Sequence, residues 1–157
     1  MSYGNFQNAI TLSKQCVGYS DGGGKSEAVI KKAEKLFGYK LSPQTHEYFS
    51  RLGFLEFYGH EFYGIIKDDF SGTYVGCSIE ATLADRREYN LPKEWLVIYF
   101  FDDGYMGYLD YSQLNAEGEP PVIMAILDEQ KYVVAERVAE DLGDFILELV
   151  EQQLGNQ

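Results

Sequence analysis

The sequence predicts an α+β fold: a single domain over residues 1–157, with a central sheet of about five to six strands, predominantly antiparallel or mixed, packed with N-terminal helices and a closing C-terminal helix. Three observations predict it. Apolar residues recur at helical spacing near both ends of the chain, and short aromatic or branched runs separated by turn residues fill its middle. At 157 residues and 45% hydrophobic content the chain can bury a core unaided. No internal repeat, low-complexity tract or proline-rich linker divides it.

The elements follow in order. Asn5 to Gln15 reads as a short amphipathic helix with Phe6, Ile10 and Leu12 inward, and Gly18 to Lys25 reads as a flexible loop, so that residues 1–24 form an N-terminal helix and loop. Ser26 is placed to cap a second helix with Val29, Ile30, Ala33, Leu36 and Phe37 on its apolar face, and Gly38 suits a left-handed stop. Ser42 and Pro43 open a third, with Tyr48, Phe49 and Leu52 inward and Gly53 at its end. Strands are predicted over Glu56 to His60 and Phe62 to Ile66, joined around Gly59 to Glu61. Ser78 is a candidate cap for a helix to about Asn90, stopped by Leu91-Pro92, with Arg86 and Arg87 on its outer side.

Seven consecutive apolar or aromatic residues, Trp95 to Phe101, suit a central strand covered on both faces. Asp102-Asp103-Gly104 turns the chain into Tyr105 to Tyr111. Pro121 to Leu127 is a further buried strand and Lys131 to Val134 a short edge strand. The closing helix, about Val138 to Gln153, has Val138, Leu142, Phe145, Ile146, Leu149 and Val150 on one face. An acidic stripe of Glu140, Asp144, Glu148 and Glu151 runs along the other.

Ala33, Glu34, Leu36, Gly38 and Leu41 resemble the AE-x-x-x-G-x-x-LP opening of the SUKH superfamily, the cell-wall-regulator-like and bacterial immunity proteins. Ser42 stands at the usual proline position, with Pro43 one residue late. His60-Glu61-Phe62-Tyr63-Gly64 resembles the later G-x-E-hydrophobic-YG signature, with His60 directly after Gly59. Leu91-Pro92, the strand pair around Asp102-Asp103-Gly104, Pro120-Pro121-Val122 and a final helix with Phe145 and Leu149 follow in the family's order. The resemblance covers roughly residues 25 to 155. It implies a protein-binding domain without catalytic residues.

Charge separates the function classes. The net is −12, yet residues 1 to 42 carry six lysines against Asp21, Glu27 and Glu34, so the acidity lies in the remainder. Such a field repels phosphate backbones, disfavours nucleic acid and attracts basic protein partners; acidity serving only solubility is the plainer alternative. Cys16 and Cys77, without C-x-x-C spacing, read as reduced, buried thiols of a cytoplasmic protein. No leader-like segment and no run long enough for a membrane span is seen.

Motifs that suggest chemistry fail on spacing. Asp21-Gly22-Gly23-Gly24-Lys25-Ser26 superficially suggests a phosphate loop, but the required first glycine falls on Tyr19. Asp102-Asp103-Gly104 lacks the alternation of a calcium loop. His46 and His60 have no cysteine at zinc-ligand spacing, and His60 reads as a support for the strand bend. Neither a catalytic residue, a cofactor site nor a metal site is assigned.

Aromatic content, with 13 tyrosines, 10 phenylalanines and one tryptophan, carries more weight. Phe54, Phe57, Phe62, Trp95, Phe100 and Phe101 are expected in the core, whereas Tyr58, Tyr63, Tyr105 and Tyr108 are candidates for surface hydroxyls. Partner contacts are assigned to Glu56, Glu61, Asp68, Asp69, Asp102 and Asp103, with Tyr58, Tyr63 and Tyr105, on turns and strand ends. Together with the charge, the family resemblance implies a non-enzymatic immunity protein that occludes a cognate, basic toxin domain, often a nuclease in families resembling this one, with no direct nucleic-acid or membrane binding. The alternatives are a regulatory scaffold of the cell-wall-regulator type and a hydrolase with dispersed carboxylates.

Overall fold

The computed structural model describes residues 2–70 and 75–155. Its elements are α1 (Ser2–Ser13), β1 (Ser20–Asp21), α2 (Glu27–Phe37), α3 (Pro43–Arg51), β2 (Leu55–Phe57), β3 (His60–Phe62), α4 (Ser78–Tyr89), β4 (Trp95–Phe100), β5 (Met106–Asp110), β6 (Val122–Asp128), β7 (Lys131–Ala139) and α5 (Leu142–Gly155). The seven strands form one antiparallel sheet in chain order. The added strand is β1, two residues within the stretch expected as a loop, paired to β2 through Ser20–Glu56 and Asp21–Leu55.

Alternation along the strands divides the apolar residues between two faces. Leu96, Ile98, Leu109 and Val122 join the main core with buried residues of α1, α2, α3 and α5 and with Ile79 of α4. On the opposite face Trp95, Val97, Tyr108 and Ile123 form a smaller cluster with Leu91 and Ala125, packed by Ala81 of α4. Tyr108 is thus buried, at 1% exposure, rather than presenting its hydroxyl.

Three tight hairpins share one geometry. Tyr58-Gly59, Asp103-Gly104 and Glu129-Gln130 each place both central residues at positive φ, as the type I′ turn that matches strand twist requires. This moves the β2–β3 turn one residue earlier than the sequence suggests. Glycine or asparagine is the usual occupant, so Tyr58 at φ 48° is a bulky side chain where the backbone does not favour one.

Local helix signals hold where the partner groups are local. Ser26 Oγ accepts from Val29 N–H (3.3 Å), and Gly38 closes α2 at φ 95° with its N–H on Glu34 O (2.8 Å). Leu36 is the exception on this helix, being 37% exposed. Ser42 begins α3 without a side-chain cap; the Glu119 carboxylate from the β5–β6 connection accepts Gln44 N–H instead (3.0 Å). Ser78 is not a cap either, since Cys77 holds that position. Its hydroxyl donates to Val97 O, Thr82 Oγ1 accepts Val97 N–H (3.0 Å), and these bonds fasten α4 to β4. Arg86 lies inward over the Phe37 ring, donating to Phe37 O (2.7 Å).

The last strand and helix divide differently from the sequence pattern. Val138 belongs to β7, which is nine residues long, and α5 starts only after Asp141, whose Oδ1 accepts Asp144 N–H (2.9 Å). Two residues of β7, Ala135 and Val138, are skipped in the ladder to β6. Such bulges increase twist at an exposed sheet edge and make it a poorer template for another strand.

The glycine-rich loop is a packing device. Gly22 N–H donates to Leu52 O (2.8 Å) and Lys25 N–H to Phe49 O (3.0 Å), satisfying carbonyls at the end of α3. The approach is close: a Cβ on Gly24 would stand 2.0 Å from Ser50 O, and one on Gly64 1.9 Å from Gly53 O. Gly64→Ala is expected to destabilise the fold by about 1–3 kcal/mol through this overpacking. Gly4→Ala, in α1 with nothing within 4 Å, should raise stability by about 0.4–1 kcal/mol in the same denaturant titration.

Candidate functional site: an acidic and aromatic groove

Cover on the smaller face of the sheet is incomplete at the β2–β3–β4 corner, and a groove of ≈ 530 Å³ lies there. Glu56 and Glu61 stand directly opposite each other across the β2–β3 ladder. The Phe62–Tyr99 pair and the Tyr63 N–H to Ile98 O bond (2.8 Å) set β4 alongside, bringing Phe100 next to Glu61. Tyr58, Tyr63 and Asp102 line the same groove, with Ile66, Val75 and Gly76 from the connection into α4.

Phe100 reaches this groove because of a bulge. Val97 pairs with Tyr108 and Tyr99 with Gly107, so Ile98 is an extra residue in β4. Ile98 and Tyr99 consequently both enter the main core, and alternation resumes with Phe100 on the other face, 51% exposed. Phe100 therefore leaves the core to which its apolar run assigned it. Phe54 and Phe101 also touch the groove while remaining partly buried.

Five of the nine residues assigned to partner contact from sequence, Glu56, Tyr58, Glu61, Tyr63 and Asp102, converge here. Asp68 and Asp69 line a separate depression, where Lys25 Nζ bonds Asp68 Oδ1 (3.0 Å) and Lys32 Nζ donates to Asp69 O (3.3 Å). Asp103 sits exposed at the β4–β5 turn, with Tyr105 half-buried beyond it; neither lines the groove. Phe100, Val75 and His60 are groove residues absent from the sequence assignment.

Like charges directly opposite on neighbouring strands oppose pairing. Among the described residues, none of the four ion pairs involves Glu56, Glu61 or Asp102. At the rim Tyr58 is 52% exposed, and its left-handed backbone costs on the order of 1–2 kcal/mol without the reward of burial. Non-glycine residues held in the left-handed region cluster at functional and switch sites.

His60 anchors the groove from below. Its Nδ1 bonds the Tyr99 hydroxyl (2.7 Å), Gln153 of α5 approaches Nε2 (3.4 Å), and the ring packs 5.5 Å from Phe57. Burial pushes the imidazole below its usual pKa, and burial followed by the Asp102 charge pushes the Tyr99 hydroxyl up. Both cysteines are buried free thiols, raised by burial and thus poor nucleophiles. Among the described residues no cluster of histidine, cysteine and carboxylates could hold a metal ion, and no helix is long and apolar enough to cross a membrane.

The element order and the antiparallel sheet define an α+β domain of SUKH-like fold. The chain matches the SMI1-KNR4 cell-wall family (SUKH_6) over residues 27–146 and belongs to that family, within the SUKH superfamily. No curated protein matches it.

A depressed folded-state pKa means that the His60 contribution to stability is present above the unfolded value of 6.5 and is lost as pH falls through the lower folded value. The denaturation midpoint of the wild type should therefore fall more steeply as pH drops below 6.5 than that of His60→Gln. Tyr58→Asn, which supplies the residue a type I′ turn favours, is expected to raise stability by about 0.5–1 kcal/mol by urea titration.

Proposed function

We propose that this chain is a non-enzymatic immunity protein that binds a cognate, basic toxin domain and neutralises it by occlusion. The observation carrying this reading is the groove, where Glu56, Glu61 and Asp102 adjoin the exposed side chains of Tyr58, Val75 and Phe100. Interfaces concentrate their energy in aromatic anchors at a dry centre, while surrounding charge speeds encounter and selects the partner. With a net charge of −12, the domain attracts a cationic surface of the kind a nuclease uses to hold its substrate. The chain would act in the cytoplasm of the producing cell. The description of the matched family as cell-wall supports one competing role, a regulatory scaffold with several partners.

Co-expression with any toxin domain found encoded beside this chain is the direct test. Wild type should restore growth, and Glu56→Gln/Glu61→Gln/Asp102→Asn should weaken the purified complex by about tenfold or more, with the larger loss at low salt. Unchanged affinity of the triple variant at low and high salt refutes the groove as the contact face. Failure to protect against any adjacently encoded toxin, with several host proteins retained instead, supports the scaffold.

A further inference from the structure

We propose that the groove receives an arginine side chain of the partner, its guanidinium bridging Glu56 and Glu61 and its flat face resting on the rings of Tyr58 and Phe100. This rests on the groove being the docking face and adds the chemistry it selects. Residues directly opposite in an antiparallel pair have Cβ atoms about 4.5–5.5 Å apart, so the Glu56 and Glu61 carboxylates project toward one spot on the same face. The bulge at Ile98 puts Phe100 beside them, and the left-handed turn puts Tyr58 at the neighbouring corner. Both rings are about half exposed.

Two carboxylates with no cation among the described ion pairs, and two rings with open faces, are complementary halves of one ligand. A guanidinium fits both. It is planar, weakly hydrated and stacks on aromatic faces, and its forked donors match carboxylate oxygens. A lysine ammonium satisfies the charge but is compact and strongly hydrated, so it gains less from the rings. Lys25 does not fill the spot, being held on Asp68 at 3.0 Å.

The test uses the full chain, labelled with 15N, and three otherwise identical glycine-serine peptides carrying one arginine, lysine or citrulline. Amide shifts for the arginine peptide should map to residues 56–63 and 99–102, with binding roughly fivefold or more tighter than for the lysine peptide and no saturation by citrulline. Phe100→Ala should narrow the arginine–lysine difference at least about twofold, and Glu56→Gln/Glu61→Gln should weaken both cationic peptides by about tenfold. The native amide spectrum of each variant reports that it is folded. Equal binding of arginine and lysine in the groove overturns the arginine assignment while leaving the docking face intact. Shifts confined to the acidic side of α5, at Asp144, Glu148 and Glu151, overturn both.

Discussion

In β4 the ladder to β5 skips Ile98, and this one extra residue decides what the two faces of the sheet present. Without it, strict alternation would send Tyr99 outward and Phe100 into the main core. With it, Tyr99 packs against Phe62 and Phe145 at ring separations of 5.0 and 5.2 Å and offers its hydroxyl to His60, while Phe100 is turned to the opposite face. Gly107, opposite Tyr99, leaves the room this requires, because a Cβ there would come within 3.1 Å of Tyr99 Cβ and the Phe101 ring. The bulge therefore couples core packing to the composition of the groove.

The groove exists because the two faces are covered unequally. All five helices contribute to the main core, α4 through Ile79 and Leu83, whereas the other face receives only Ala81 of α4, the helix that Ser78 and Thr82 fasten to β4. Distant side chains hold the covering helices in position: Glu119 caps α3, and Gln44 Oε1 accepts Gly143 N–H at the start of α5 (2.7 Å). Burial raises the Glu119 pKa, so its ionised form is the less comfortable one in this network. Stability contributed by Glu119 is greatest below its unfolded value of 4.5 and declines as pH rises through the folded value, opposite in sign to the His60 effect.

Several local choices in the groove oppose the best local structure. Tyrosine occupies a left-handed turn position, two glutamates face each other, and a phenylalanine is left half in water. Each has a small unfavourable effect on the isolated fold, and together they place a charged and aromatic surface at one corner. Disagreement between local preference and observed residue is a common feature of surfaces selected for recognition. The glycine-rich loop is the contrasting case: a Cβ on Gly24 would strike the α3 backbone, one on Gly22 would strike the Phe54 ring, and Gly23 takes a left-handed φ of 73°, so no ligand is needed to explain them.

By itself the sequence determined the fold class, the family, the stops and starts of α2 and the existence of the β4–β5 hairpin. These depend on periodicity and on signals whose partners lie within a few residues, as with Ser26 and Gly38. Residue type and turn context also singled out Glu56, Glu61, Tyr58 and Tyr63, which the fold brings into one groove. Tertiary structure decided the rest. Ser78 looks like a cap but bonds a strand carbonyl, Val138 fits the helical period but extends β7, and Phe100 sits in an apolar run but faces solvent. A skipped residue in a ladder is defined only relative to the partner strand, and a groove only by the cover that stops short of it, so neither has a signature within its own segment.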